Sequence, residues 1–99
     1  MVRRITIDKA KSLVLKNQNN PDFVVIDCRT PQELAEGVIG NPLNIDFYDP
    51  YFAEKIAKLD RHKTYLVYCR SGNRSTAFVK IMIDSGFHNV YNVEGGILG

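Results

Sequence analysis

Several residue types and patterns are scarce in this chain of 99 residues, which has no tryptophan, two cysteines and a net charge of +2. Two cysteines are too few for a disulfide framework, and their spacing does not match a zinc site. No apolar run reaches the length of a membrane span, and no apolar segment follows the basic start at the N-terminus. Lysine and arginine are dispersed, whereas a nucleic-acid surface needs a basic stripe. We therefore expect neither a nucleic-acid nor a membrane partner, and a cytoplasmic location with reduced thiols.

The remaining composition is that of a globular α/β domain. Apolar residues make up 44% of the chain and charged residues 24%, which are ordinary values, and the length predicts one domain over residues 1–99. Apolar runs predict strands at 4–7, 23–27, 64–68 and 90–93, and amphipathic patterns predict helices at 8–16 and 75–85. Capping signals predict a short helix after Thr30-Pro31 and another from Asp49-Pro50 to about residue 58. Because strands and helices alternate, the sheet is predicted to be largely parallel.

The most informative segment is the polar loop that joins the strand at 64–68 to the helix at 75–85. It reads Cys69-Arg70-Ser71-Gly72-Asn73-Arg74-Ser75. A cysteine between a buried strand and a helix N-terminus lies where free N–H groups and the helix dipole stabilise an anion. Such a position favours the reactive thiolate. We interpret Cys69 as a nucleophile rather than as an inert core thiol.

Each polar residue of the loop has a functional and a purely structural interpretation. Gly72 permits a backbone conformation that turns successive N–H groups inward, or it is an ordinary turn glycine. Arg70 and Arg74 attract an anion, or they are solvated surface charges. Ser71 and Ser75 donate hydroxyl hydrogen bonds to the sulfur, although Ser75 alternatively caps the helix.

Three residues at the end of the 23–27 strand have supporting interpretations. Asp27 is expected to bind loop N–H groups, with a catalytic acid as the alternative. Arg29 is expected to pair with a carboxylate such as Glu33 or Glu94. Cys28 is interpreted as a small buried strand residue, and a resolving role or a disulfide with the loop cysteine is the alternative.

The loop resembles the active-site loop of the rhodanese-like sulfurtransferases. Tyrosine phosphatases share its plan, but their cysteine and arginine are separated by five residues, whereas four separate Cys69 from Arg74 and Ser75 occupies the phosphatase position. Further segments resemble the family in the same order, at 24–29, 33–39, 43–45 and 90–96. The resemblance implies a five-stranded, largely parallel sheet flanked by helices. It also implies a C-terminal end that is shortened at Gly99, with apolar surface exposed near Ile97 and Leu98.

The resemblance also implies an activity. A sulfane sulfur would pass from thiosulfate or another small anionic persulfide donor to Cys69, which would carry it as a persulfide. A thiol, a protein acceptor or cyanide would then remove it, with no metal and no organic cofactor. Two alternatives remain open. One is a non-turnover sulfur carrier or binding module for a partner protein, and the other is a cysteine-dependent phosphatase or arsenate reductase.

Overall fold

The computed structural model describes residues 2–99, and these form a five-stranded sheet. Its strands are β1 Val2–Ile5, β2 Phe23–Asp27, β3 Leu43–Asn44, β4 Thr64–Tyr68 and β5 Val90–Val93. The strand order is β1-β5-β4-β2-β3, and every neighbouring pair is parallel. The predicted α/β class with a five-stranded parallel sheet is confirmed.

Within the described residues, three α-helices and one 3₁₀ helix connect the strands, and a second 3₁₀ helix follows β5. The α-helices are α1 Ile7–Lys16, α2 Phe52–Ala57 and α3 Asn73–Asp84, and the 3₁₀ helices are Pro31–Glu36 and Gly96–Leu98. All of the predicted helices exist, but the one after Thr30 is a 3₁₀ helix.

Some predicted boundaries were wrong by about two residues, each for a local reason. The first strand ends before Thr6, because the Thr6 hydroxyl accepts from the Lys9 N–H and caps α1. The helix predicted from Asp49-Pro50 begins only at Phe52, because Asp49 accepts from the Tyr51 N–H in a preceding turn. A third helix, α3, begins at Asn73 rather than at residue 75.

The sheet has a separate apolar cluster on each face. On one face, Ile26 and Val67 pack with Phe78 and Met82 of α3. On the other face, residues that include Val25, Leu66 and Tyr68 pack with α1. Within α3, Phe78, Val79 and Met82 are buried, whereas Ala77 is exposed.

The alternation of side chains along β2 and β4 determines which residues meet at the carboxyl end of the sheet. Asp27 is paired with Tyr68 in the parallel register, and the Cys28 N–H continues the ladder by donating to the Tyr68 carbonyl at 3.0 Å. Cys28 and Cys69 come one residue later on each strand. Both belong to the cluster on the α3 face, so the two thiols lie on the same side of the sheet.

Candidate active site

The Cys69 sulfur lies at the base of the loop between β4 and α3. It accepts hydrogen bonds from the Gly72 N–H at 3.0 Å and from the Ser75 N–H at 3.4 Å. The residue is only 1% exposed. The backbone therefore provides a preformed pair of donors for a negatively charged sulfur.

The N-terminus of α3 explains why the loop supplies these donors. Gly72 is its N-cap residue and adopts a left-handed conformation with φ of 105°, which side-chain-bearing residues rarely adopt. Among the described residues, the N–H groups of Arg70, Ser71, Asn73 and Arg74 have no hydrogen-bond acceptor. Unpaired N–H groups at the start of a helix favour an anion.

Ser75 lies in the first turn of α3, so it is not the N-cap. In the thiol form, Cys69 donates to the Ser75 hydroxyl oxygen at 3.5 Å, and that hydroxyl donates to the Gly72 carbonyl at 3.2 Å. A serine hydroxyl has one proton to donate. When Cys69 ionises, the hydroxyl is able to turn and donate to the sulfur, which is the contact that the sequence predicted.

A second sulfur acts on Cys69 from the neighbouring strand. Hydrogen bonding with the Cys28 thiol is the largest cause that lowers the pKa of Cys69 to about 4. The Ser75 hydroxyl and the Ser75 and Gly72 N–H groups act in the same direction, against burial. The pKa of Cys28 is raised by the same hydrogen bond and by its own burial. The pair of cysteines therefore carries a single negative charge, which lies on the Cys69 sulfur.

Arg74 is paired with Glu33 instead of facing the sulfur. Its guanidinium donates to both carboxylate oxygens of Glu33, at 2.7 and 2.9 Å, and it lies over the ring of Tyr48. The pairing lowers the pKa of Glu33 to about 2 and raises that of Arg74. Arg74 still interacts electrostatically with Cys69, but the negative charge of Glu33 offsets much of the positive charge of Arg74.

The other predicted loop residues point away from the sulfur. Arg70, Ser71 and Asn73 are exposed, and the expectation that the Ser71 hydroxyl donates to Cys69 was wrong. Ser71, Gly72 and Asn73 line an open polar cavity of about 340 Å³ on the outer side of the loop. Arg70 is left as a solvent-facing positive charge beside the site.

Asp27 and Arg29 form a buried ion pair with each other. The Arg29 guanidinium donates to Asp27 at 2.8–3.1 Å, and the Arg29 N–H donates to the same carboxylate at 2.9 Å. The expectation that Arg29 pairs with a carboxylate is confirmed, but the carboxylate is that of Asp27 and not that of Glu33 or Glu94. The expectation that Asp27 binds active-site loop N–H groups was wrong. Arg29 also donates to the Gly37 carbonyl at 2.6 Å, which fixes the end of the 3₁₀ helix that carries Glu33.

Residues 96–98 hold the start of the active-site loop in place through backbone hydrogen bonds. The Ile97 N–H donates to the Cys69 carbonyl at 2.9 Å, and the Leu98 N–H donates to the Arg70 carbonyl at 3.1 Å. A Cβ atom on Gly96 would overlap both of these carbonyls. Ile97 packs against the α1-side cluster, whereas Leu98 is 67% exposed, so the predicted apolar exposure applies to Leu98.

Two contributors to the site were assigned otherwise from the sequence. Glu33 was named as a candidate partner of Arg29, but its carboxylate accepts from the Thr30 N–H and from the Arg74 guanidinium. Cys28 was interpreted as core filling. A signal for Cys28 was present, because its strand ends beside the strand of Cys69.

The described part of the chain contains neither a helix suited to a membrane nor a cluster of metal ligands. Over residues 2–99, no helix has the length and apolar character needed to cross a membrane. In the same residues, no group of three His, Cys, Asp or Glu side chains could hold a metal ion.

Comparison with known proteins gives concordant matches. A family model described as Rhodanese-like domain matches residues 10–99. A putative sulfurtransferase of Bacillus subtilis, YtwF, is 39% identical over 83 residues, which cover 84% of this chain and 78% of that protein. A sulfurtransferase of Allochromatium vinosum is 28% identical, with 90% and 81% covered. The crystal structure of a rhodanese-related protein from Thermoplasma volcanium is similar at a TM-score of 0.75 and 37% identity, with 96% and 86% covered.

Proposed function

The chain belongs to the rhodanese-like domain family, and we propose that it is a sulfurtransferase that carries a sulfane sulfur on Cys69. The observation that carries this proposal is the environment of the Cys69 sulfur, which receives two backbone N–H groups and has a pKa of about 4. A thiolate is the nucleophilic form of cysteine. At neutral pH the site therefore holds a formed nucleophile and needs no general base.

In the first half-reaction, the Cys69 thiolate attacks the outer sulfur of an anionic donor such as thiosulfate. A bond forms between the Cys69 sulfur and this outer sulfur, and the bond within the donor breaks. Its electron pair leaves with sulfite, and Cys69 becomes a persulfide. In the second half-reaction, an acceptor thiolate or cyanide attacks the terminal sulfur and regenerates the Cys69 thiolate. This is covalent catalysis in two displacement steps.

The loop supplies electrostatic stabilisation for the persulfide. Its terminal sulfur carries the negative charge, and the N–H groups of residues 70, 71, 73 and 74, which have no acceptor within residues 2–99, are donors that could receive it. Preorganised donors of this kind stabilise developing charge without rearrangement. The exposed Arg70 side chain adds a positive charge that attracts an anionic donor.

The arginine arrangement weighs against phosphate-ester hydrolysis. A phosphate group needs a cation directed at its oxygens, typically a bidentate arginine. Arg74 already makes a bidentate contact with Glu33, and the loop is one residue shorter than a phosphatase loop. We therefore rank a phosphatase or arsenate reductase below sulfur transfer.

The burial of Cys69 favours one alternative within sulfur chemistry. With 1% of the residue exposed, a donor reaches the sulfur only when the loop or its neighbours move. A partner protein that opens the loop by docking would deliver sulfur in this way, and the chain would then act as a carrier. Either activity requires reduced thiols, so the proposal includes the cytoplasmic location expected from the sequence.

Intact-protein mass spectrometry after incubation with thiosulfate tests the proposal. The native chain is expected to gain the mass of one sulfur atom, which cyanide removes, whereas Cys69→Ser gains nothing. Loading by a persulfide-bearing partner enzyme but not by thiosulfate would favour the carrier. A folded native chain that gains no sulfur from either source would refute the proposal.

A further inference from the structure

Cys28 is a buried thiol that the sulfur-transfer steps above do not consume. It is fully buried, and so is Cys69 apart from 1% of its surface. Both are free cysteines. Because solvent does not reach Cys28, the neighbouring Cys69 sulfur is the group with which the Cys28 thiol is placed to react.

The geometry of the sheet is suited to a bond between the two sulfurs. The pair follows directly after the registered pair Asp27 and Tyr68 on adjacent parallel strands, and strands in a sheet lie about 4.7–4.9 Å apart. A disulfide requires Cα atoms about 4.4–6.8 Å apart with their Cβ vectors directed to the same side. Both side chains belong to the cluster on the α3 face, so the register places the two cysteines side by side on neighbouring strands, at about the separation that a disulfide spans.

We propose that Cys28 resolves the Cys69 persulfide, so that the chain releases hydrosulfide and forms a Cys28–Cys69 disulfide. This inference rests on the proposed function, because it requires a sulfur on Cys69. It adds a second outcome for that sulfur, namely reduction to hydrosulfide in place of transfer to an external acceptor. The co-reactant that resets the site is a dithiol reductant.

The bonds and electrons balance within the protein. The Cys28 sulfur attacks the Cys69 sulfur, and the bond between Cys69 and the terminal sulfur breaks. The terminal sulfur leaves with the electron pair and takes the Cys28 proton, so it departs as hydrosulfide. The two cysteines are oxidised to the disulfide while the sulfane sulfur is reduced by two electrons. A dithiol then reduces the disulfide by thiol–disulfide exchange and is itself oxidised.

The charge distribution explains why Cys28 does not interfere with loading. In the resting state, hydrogen bonding with Cys69, burial and the Cys69 charge all raise the pKa of Cys28, so Cys28 stays protonated. Once Cys69 is a persulfide, the negative charge moves to the terminal sulfur and the Cys69 sulfur becomes an electrophile. Cys28 is then held against that electrophile at a high effective concentration.

The experiment follows the sulfur on loaded protein in the absence of any acceptor. The native chain, Cys28→Ser and Cys28→Ala are loaded with thiosulfate, or with glutathione persulfide if thiosulfate does not load them, and then freed of donor. At successive times, samples are acid-quenched and alkylated. Intact mass measures the retained sulfur, a bimane probe measures hydrosulfide, and non-reducing peptide mapping locates disulfides.

The native chain is expected to lose the added sulfur, to release one hydrosulfide per loaded site and to acquire a Cys28–Cys69 disulfide. Both Cys28 variants are expected to keep the persulfide at least about tenfold longer, because they lack the intramolecular thiol. Val25→Ala is the matched control, since it truncates a buried residue of the same strand in the opposite cluster. It is expected to behave as the native chain does.

The outcomes separate this inference from the proposed function. If Cys69 loads and the native persulfide lasts as long as that of the variants, only the resolving role is overturned. Disulfides that join Cys69 residues of two molecules would overturn it as well. If no protein loads from any donor, the proposed function fails and the inference fails with it. Peptide mapping of the native chain decides the question even if a variant does not fold.

Discussion

The contact between Cys28 and Cys69 makes a quantitative prediction about thiolate formation. The pKa of Cys69 is lowered from 9.0 to about 4, and the Cys28 hydrogen bond is the largest cause. Cys28→Ala removes that donor and leaves the Ser75 and Gly72 donors in place. Cys28→Ser supplies a hydroxyl at the same position, which is also able to donate to the sulfur.

The expected magnitude follows from the strength of one charge-assisted hydrogen bond. Such a bond is worth about 1.5–3 kcal/mol, and 1.36 kcal/mol corresponds to one pKa unit, so Cys28→Ala is expected to raise the pKa of Cys69 by about 1–2. Cys28→Ser is expected to stay closer to the native value. The Ser variant thus keeps the thiolate but loses the resolving sulfur, which separates the two roles of Cys28.

The rate of alkylation of Cys69 by iodoacetamide, measured against pH, reports its thiolate. Both Cys28 variants contain a single cysteine, so their signal is unambiguous, and Cys69→Ser provides the blank for the native chain. Circular dichroism at each pH establishes that the protein remains folded. An unchanged midpoint in Cys28→Ala would refute the reasoning, and equal changes in the Ala and Ser variants would show that hydrogen bonding is not the cause.

Three further predictions concern the framework of the site. Gly96→Ala is expected to reduce the free energy of unfolding by more than about 1–3 kcal/mol and to slow sulfur loading, since its Cβ overlaps loop carbonyls. The control Gly86→Ala, also at positive φ but with only ordinary van der Waals contacts around its Cβ, lacks this overlap, and equal losses in denaturant titrations would contradict the prediction. Glu33→Gln is expected to cost about 1–2 kcal/mol at neutral pH after allowance for partial exposure. Because the pKa of Glu33 is lowered from 4.5 to about 2, this difference is full above pH 4.5 and disappears as the pH falls toward 2; a constant difference in unfolding free energy would count against the Arg74 pair. Arg29→Ala is expected to cost about 3–5 kcal/mol, because it leaves a buried carboxylate unpaired, and a loss typical of surface substitutions would show that this pair is unimportant.

The sequence predicted the parts of the molecule that local patterns determine. The strands at 23–27, 64–68 and 90–93 were predicted to the residue, because continuous apolar runs bounded by turn residues specify buried parallel strands. The start of α3 was predicted too late because Ser75 was considered as the N-cap, whereas the left-handed Gly72 is the N-cap and the helix begins at Asn73. The role of each loop residue in the reaction stays a prediction.

Partners of charged side chains were predicted less well, for a physical reason. An arginine reaches several carboxylates in a fold this small, and only the tertiary arrangement decides among them. Arg29 follows Asp27 by two residues and turns back onto it, which leaves Glu33 available for Arg74. Because Arg29 pairs with Asp27, Asp27 does not bind the loop and Glu33 is left to Arg74. The wrong partner for Arg29 therefore explains the wrong role for Asp27 as well.

The two faces of the sheet make different contributions to the site. The face that carries α3 holds both sulfurs and the helix N-terminus, so it sets the charge of the thiolate. On the opposite face, Arg29 lies over the ring of Tyr68 and ties β2 to the 3₁₀ helix through Gly37. Cys28 directly follows β2, and Cys69 directly follows β4. A change in the Asp27–Arg29 pair consequently reaches the sulfurs through the backbone of β2, whereas a change at Cys28 acts on the Cys69 thiolate directly.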